Sequence, residues 1–67
     1  SGYDEEFVKL SSNVSSVYTA LRAVNNKLVK LSENLERSTN GSDTKLTLEN
    51  IINCCNAIKG LKEIQNA

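Results

Sequence analysis

The residues of this sequence most able to do chemistry are two adjacent cysteines, Cys54 and Cys55. They could form a redox pair, or one of them could form a disulfide between two copies of the chain. Neighbouring residues on a helix point about 100° apart, so a bond between the two cysteines would require a distorted backbone. Because free cysteine is often a small buried apolar residue, we interpret both as parts of a helix face.

Other catalytic and metal-binding combinations are missing from the sequence. It has no histidine, no Cys-x-x-Cys pair and no glycine-rich phosphate loop, which removes the common zinc sites, histidine-based nucleophile pairs and nucleotide-binding loops. The acidic run Asp4-Glu5-Glu6 could be imagined as a metal or acid–base cluster. Negative charge at the start of a helix is the simpler explanation. We expect no catalytic residue, no metal, no cofactor and no enzymatic activity.

Charge and hydropathy limit the partners. The 67 residues carry eight basic and eight acidic side chains, without the positive excess of nucleic-acid-binding proteins. No apolar run approaches the roughly 20 residues that cross a membrane, and no signal peptide is found. We therefore expect neither nucleic-acid binding nor membrane insertion. Two cysteines in an otherwise ordinary composition favour the cell interior, in the cytoplasm or the nucleus.

A strict heptad repeat predicts a long first helix. Nine apolar residues, here called the seam, recur in alternating steps of three and four: Phe7, Leu10, Val14, Val17, Leu21, Val24, Leu28, Leu31 and Leu35. A period of 3.5 residues is typical of helices that pack along one stripe against another helix. The repeat predicts a helix at about residues 4–38. Ser1-Gly2 is interpreted as a remnant of tag removal, and residues 3–67 as one domain.

A polar connection and a shorter second helix follow. Asn40-Gly41 tolerates the positive φ at which many helices end, so residues 39–46 are predicted to form the loop. Thr47 is the predicted N-cap of a second helix at about residues 47–65. A short loop makes the two helices antiparallel neighbours. The predicted hairpin core is Leu21, Val24, Leu28, Leu31 and Leu35, packed against Ile51, Cys55, Ile58 and Leu61.

The fold class predicted in this way is all-α: an antiparallel helical hairpin with coiled-coil heptads that assembles into a multi-helix bundle. The first helix would be about 50 Å long and the second about 27 Å, so the second reaches only to about Leu21. The seam before Leu21 would then face water, which is unfavourable for a contiguous apolar stripe. We therefore predict an intermolecular interface formed by Phe7, Leu10, Val14, Val17 and Tyr18.

The favoured function is a non-enzymatic protein–protein interaction and oligomerisation module that self-associates or scaffolds a larger complex. The residues that flank the seam are mostly small and neutral, which favours a bundle of three or more helices over an isolated pair. A homodimer forming a four-helix bundle is the simplest closed assembly, with a trimer or a tetramer as alternatives. Helical segments of a larger complex are the other expected partners.

Two further functions stay open. A long heptad helix, a turn and a shorter returning helix are similar in architecture to the core of viral class I fusion proteins, which implies a trimer of hairpins. The loop lacks the disulfide-bonded motif that many such proteins have. Alternatively, the chain is a hetero-partner scaffold whose uncovered seam binds a foreign helix.

Overall fold

A computed structural model describes residues 2–67, with side chains described from Val14 onward. Within this range the protein is all-helical, and its two helices pack against each other. Helix α1 spans Gly2–Arg37 and helix α2 spans Gly41–Gln65. The molecule is a rod of 59 × 15 × 14 Å. The prediction of a helical hairpin is therefore confirmed.

Helix α2 begins at Gly41, six residues before the start predicted at Thr47. Asn40 is the N-cap: its Oδ1 accepts a hydrogen bond of 2.7 Å from the backbone N–H of Asp43. This bond satisfies a backbone N–H that has no partner inside the helix. The negative charge of Asp43 lies near the positive end of the helix dipole, which stabilises the start of α2. No residue from 2 to 67 has a positive φ. Asn40-Gly41 therefore starts the second helix and does not end the first.

The earlier start lengthens α2 to 25 residues, or about 37 Å at 1.5 Å per residue. The Asn34 side chain donates a hydrogen bond to that of Thr47, and the hydroxyl groups of Ser38 and Thr44 are hydrogen-bonded to each other. In both pairs the two residue numbers add to about the same value, as an antiparallel pairing requires. Extending this register along the rod places Gln65, the last residue of α2, beside Val17.

The contact faces of both helices follow steps of three and four. On α2 the face is formed by Thr44, Thr47, Ile51, Cys54, Ile58 and Leu61, all buried or half-buried. Cys55, which was predicted in the hairpin core, is exposed, whereas Cys54 is half-buried. Residues one step apart on a helix are turned by about 100°, so the two cysteines cannot share one face. The hairpin core therefore contains Cys54 in place of Cys55.

Candidate interaction surface

The contact between the two helices stops near Val17. The Val17 side chain is 9% exposed, whereas Val14, one turn earlier on α1, is 50% exposed. Val17, which was predicted to face water and to belong to an intermolecular interface, is therefore already covered within its own chain. The reason is the start of α2 at Gly41, which lets this helix reach about one turn beyond Leu21.

The other residues of the predicted interface divide into two groups. Val14 and Tyr18 are 50% and 57% exposed, so both side chains are open to a partner. Phe7 and Leu10 lie on α1, but their side chains fall outside the described residues. Their position follows from the heptad alone, which places them on the same stripe as Val14.

The hairpin core is only partly enclosed. Among the described side chains, Val17, Leu31 and Thr47 are buried, and none is fully enclosed. The remaining core residues predicted from the sequence are half-buried, apart from Cys55: Leu21, Val24, Leu28, Leu35, Ile51, Ile58 and Leu61. Two helices cover one another along a single stripe, so the sides of that stripe stay open to solvent.

A polar pair lies between the helices near the loop. Thr47, at 3% exposure the most buried of the three buried residues, accepts a hydrogen bond of 2.8 Å from Nδ2 of Asn34. A buried hydroxyl without a partner would be costly, and this bond satisfies it. Polar pairs at core positions fix the register of paired helices, because any slip breaks the bond while apolar contacts can reform. Neither residue was predicted in the hairpin core, and Thr47 was predicted as an N-cap instead.

A second polar pair lies one turn closer to the loop. The hydroxyl oxygens of Ser38 and Thr44 are 2.7 Å apart, and the Thr44 hydroxyl is 2.9 Å from the carbonyl oxygen of Asn40. A hydroxyl has one proton, so if Thr44 donates to Asn40 then Ser38 donates to Thr44. This chain of bonds links the end of α1, the connection and the first turn of α2.

The two sides of the rod differ in what they expose. On one side, a groove of about 340 Å³ is lined by small or flexible side chains: Ala23, Val24, Lys27, Asn53, Cys54 and Ala57. On the other side lie larger apolar side chains that are about half exposed, among them Val29, Leu48 and Ile52. The opposite sides thus offer a shallow groove and an apolar surface.

In the part of the chain that the structure describes, no group of three or more histidine, cysteine, aspartate or glutamate side chains could hold a metal ion. Neither helix, over its described residues, has a stretch long and apolar enough to cross a membrane. A comparison with known family models, with curated proteins and with solved structures gives no match for this chain.

Proposed function

We propose that this chain is a non-enzymatic association module, a helical hairpin that forms a homodimer through the seam of α1 beyond the reach of α2. The observation that carries this proposal is the step in exposure from 9% at Val17 to 50% at Val14. The heptad repeat continues through that step toward Phe7 without a break. A stripe patterned for helix packing therefore extends past the helix that its own chain supplies.

The exposed area of the chain supports a second subunit. The surface accessible to solvent is 5365 Å². A compact monomer of 7.3 kDa would expose about 4,200 Å². The excess of about 1,200 Å² is larger than the area of about 800 Å² that each partner buries in a standard interface. Docking of a second copy would bring the exposed area of each chain closer to that of a compact monomer of its mass.

The thin core and the charge balance also favour association. Val17 and Leu31 are the buried aliphatic residues of the described part, each with 9% exposure. A core of this size rarely stabilises a chain of this length without oligomerisation or crosslinks. Equal numbers of basic and acidic residues leave a net charge of zero, so no overall repulsion opposes the approach of a second copy.

The test is Val14→Asp, with Ser16→Asp as the matched control on an exposed position of the same helix. A charge at Val14 would be buried in the proposed interface, whereas the same charge at Ser16 would stay in water. We expect sedimentation equilibrium to show a dimer for the unsubstituted chain and for Ser16→Asp, and a monomer for Val14→Asp. Circular dichroism checks that Val14→Asp keeps most of its helicity. A dimer that is equally tight in all three chains would refute the proposed interface.

The same mass measurement separates the alternatives named from the sequence. A stable trimer would favour the arrangement of viral fusion cores, in which three long helices form a central coil. A stable monomer would favour a hetero-partner scaffold that binds a foreign helix on the seam. As the setting, we propose the cytoplasm or the nucleus, because two free cysteines fit a reducing compartment.

A further inference from the structure

A strip of exposed apolar side chains runs along one side of α2. Leu48 and Ile52 are 43% and 58% exposed, and Cys55 is exposed as well. Each of the three directly follows a contact-face residue of α2 in the sequence. All three are therefore turned by about 100° in the same direction from the face that packs on α1. Their spacing of four and three residues keeps them on one line along the helix.

Val29 extends this strip onto α1. It is 51% exposed, and it also directly follows a contact-face residue of its own helix. In an antiparallel pair, residues turned in this way on both helices lie on the same side of the rod. Asn25 of α1 and Lys62 of α2 are also one residue past the contact face, and both line a single groove of about 240 Å³ together with Leu21 and Ile58. Residues of this kind on the two helices therefore lie on the same side. We call Val29, Leu48, Ile52 and Cys55 the flank strip.

The free part of α1 is long enough to cover the whole flank strip. Residues 2–16, here called the overhang, precede the last contact with α2 and extend about 22 Å. By the antiparallel register, the flank strip lies beside residues 27–34 of α1, a stretch of about 12 Å. By the heptad repeat, the overhang carries three seam positions, Phe7, Leu10 and Val14. Each surface is apolar, and each lies at the opposite end of the rod from the other.

We propose that the overhang of a second copy docks on the flank strip, with the two copies related by a two-fold axis near the middle of α1. This inference rests on the proposed self-association and assigns the surface that receives the seam. The two α1 helices then lie side by side and antiparallel. At nearly every level along the rod, the cross-section contains α1 of both copies and α2 of one copy.

A second copy is the occupant that covers both surfaces at once. A two-fold axis presents the overhang of each chain to the flank strip of the other, so one contact geometry is used twice and the assembly is closed. A foreign helix on the strip would leave the overhang uncovered. The excess area of about 1,200 Å² per chain exceeds the area of about 800 Å² that each partner buries in one standard interface, and the two symmetric contacts together form one such interface.

The arrangement predicts which residues meet. Cys54 and Lys27 line one groove, so Cys55 lies near the level of residue 27 of its own α1. The two-fold axis at the middle of α1, Gly2–Arg37, places this level beside about residue 12 of the second copy. Leu10 and Val14 are the seam positions on either side of that level. In its own chain, residue 10 is about 26 Å away from Cys55 along the rod.

The test is disulfide crosslinking between two differently tagged chains. In every chain Cys54→Ala removes the neighbouring thiol. One chain keeps Cys55, and the other carries Cys55→Ala together with Leu10→Cys or, as a second variant, Val14→Cys. The matched control replaces these with Ser12→Cys, which the heptad places on the outer side of α1. Oxidised glutathione is the oxidant: two protein thiols become one disulfide, and one glutathione disulfide is reduced to two thiols.

We expect Leu10→Cys or Val14→Cys to form the disulfide-linked heterodimer at least about tenfold faster than Ser12→Cys, because docking raises the local thiol concentration toward the millimolar range. The product is measured by non-reducing electrophoresis and mass spectrometry. Equal rates for all variants, or a predominant Cys55–Cys55 dimer, in a chain that sediments as a dimer would overturn this inference and leave the proposed function standing. A chain that sediments as a monomer overturns both.

Discussion

Replacing Thr47 by valine tests whether the polar pair near the loop stabilises the hairpin. Valine has nearly the same shape as threonine, so the change removes the hydroxyl and leaves the packing in place. Thr47 is 3% exposed, and its Oγ1 accepts the bond of 2.8 Å from Nδ2 of Asn34. After the change, the Asn34 amide has lost this acceptor while α2 still packs against it.

The expected cost follows from the burial of the two residues. A buried donor left without an acceptor costs about 1–3 kcal/mol. Asn34 is only half-buried, so water can reach part of its amide, and we expect the low end, about 1 kcal/mol. For a chain of 67 residues the unfolding entropy per residue converts this loss into a decrease in Tm of about 7 °C.

The assay is thermal unfolding followed by circular dichroism at one fixed protein concentration, because association makes Tm depend on concentration. Thr19→Val is the matched control: Thr19 is exposed, and its hydroxyl bonds only to the carbonyl oxygen of Ser15 in its own helix at 3.0 Å. We expect this control to change stability by less than about 0.5 kcal/mol. The double variant Asn34→Leu with Thr47→Val should recover part of the loss, since it removes both polar partners.

The result that would refute this reasoning is a Thr47→Val chain as stable as the unsubstituted one, or more stable. In that case the Asn34–Thr47 bond would contribute no net free energy, and the register of the hairpin would depend on the apolar contacts alone. A loss equal to that of Thr19→Val would carry the same meaning.

Three further substitutions test other parts of the structure. Asn40→Ala removes the N-cap of α2 and should lower the free energy of unfolding by about 1 kcal/mol in a urea titration; an unchanged midpoint would contradict the assigned cap. Gly60→Ala should raise the free energy of unfolding by about 1 kcal/mol in the same urea titration, because alanine favours a helix over glycine and a Cβ at Gly60 meets nothing within 4 Å. Ile52→Asp should weaken dimerisation in sedimentation experiments, whereas Asn56→Asp on the outer side of α2 should not; equal effects would exclude the flank strip.

The heptad of α1 could be predicted from the sequence because its seam positions are apolar without exception from Phe7 to Leu35. The pattern sufficed to predict a long helix and a partner helix folded back on it. The end of this helix was within one residue of the prediction, since Arg37 closes it in the structure. Apolar periodicity is a strong signal where burial and hydrophobicity coincide.

The start of α2 could not be predicted in the same way, because its first contact positions are polar. Thr44 and Thr47 continue backward the steps of three and four set by Ile51, Cys54 and Ile58, but an apolar pattern does not reveal them. A face predicted from the apolar residues alone included Cys55, whereas the observed contact face of α2 contains its neighbour Cys54. The Asn40–Asp43 pair was the local signal for the N-cap, and it competed with the equally plausible cap at Thr47.

The polar start of α2 and the open apolar surfaces have one physical cause. Near the loop, hydrogen bonds between Asn34 and Thr47 and between Ser38 and Thr44 take the positions that apolar side chains occupy elsewhere on the contact faces. These bonds fix the register, but they bury little apolar area there. Leu48 and Ile52, which would widen an apolar core, are thereby left on the side of the rod. A hairpin held in register by polar groups near its loop therefore has apolar surface available for a third helix at the same level.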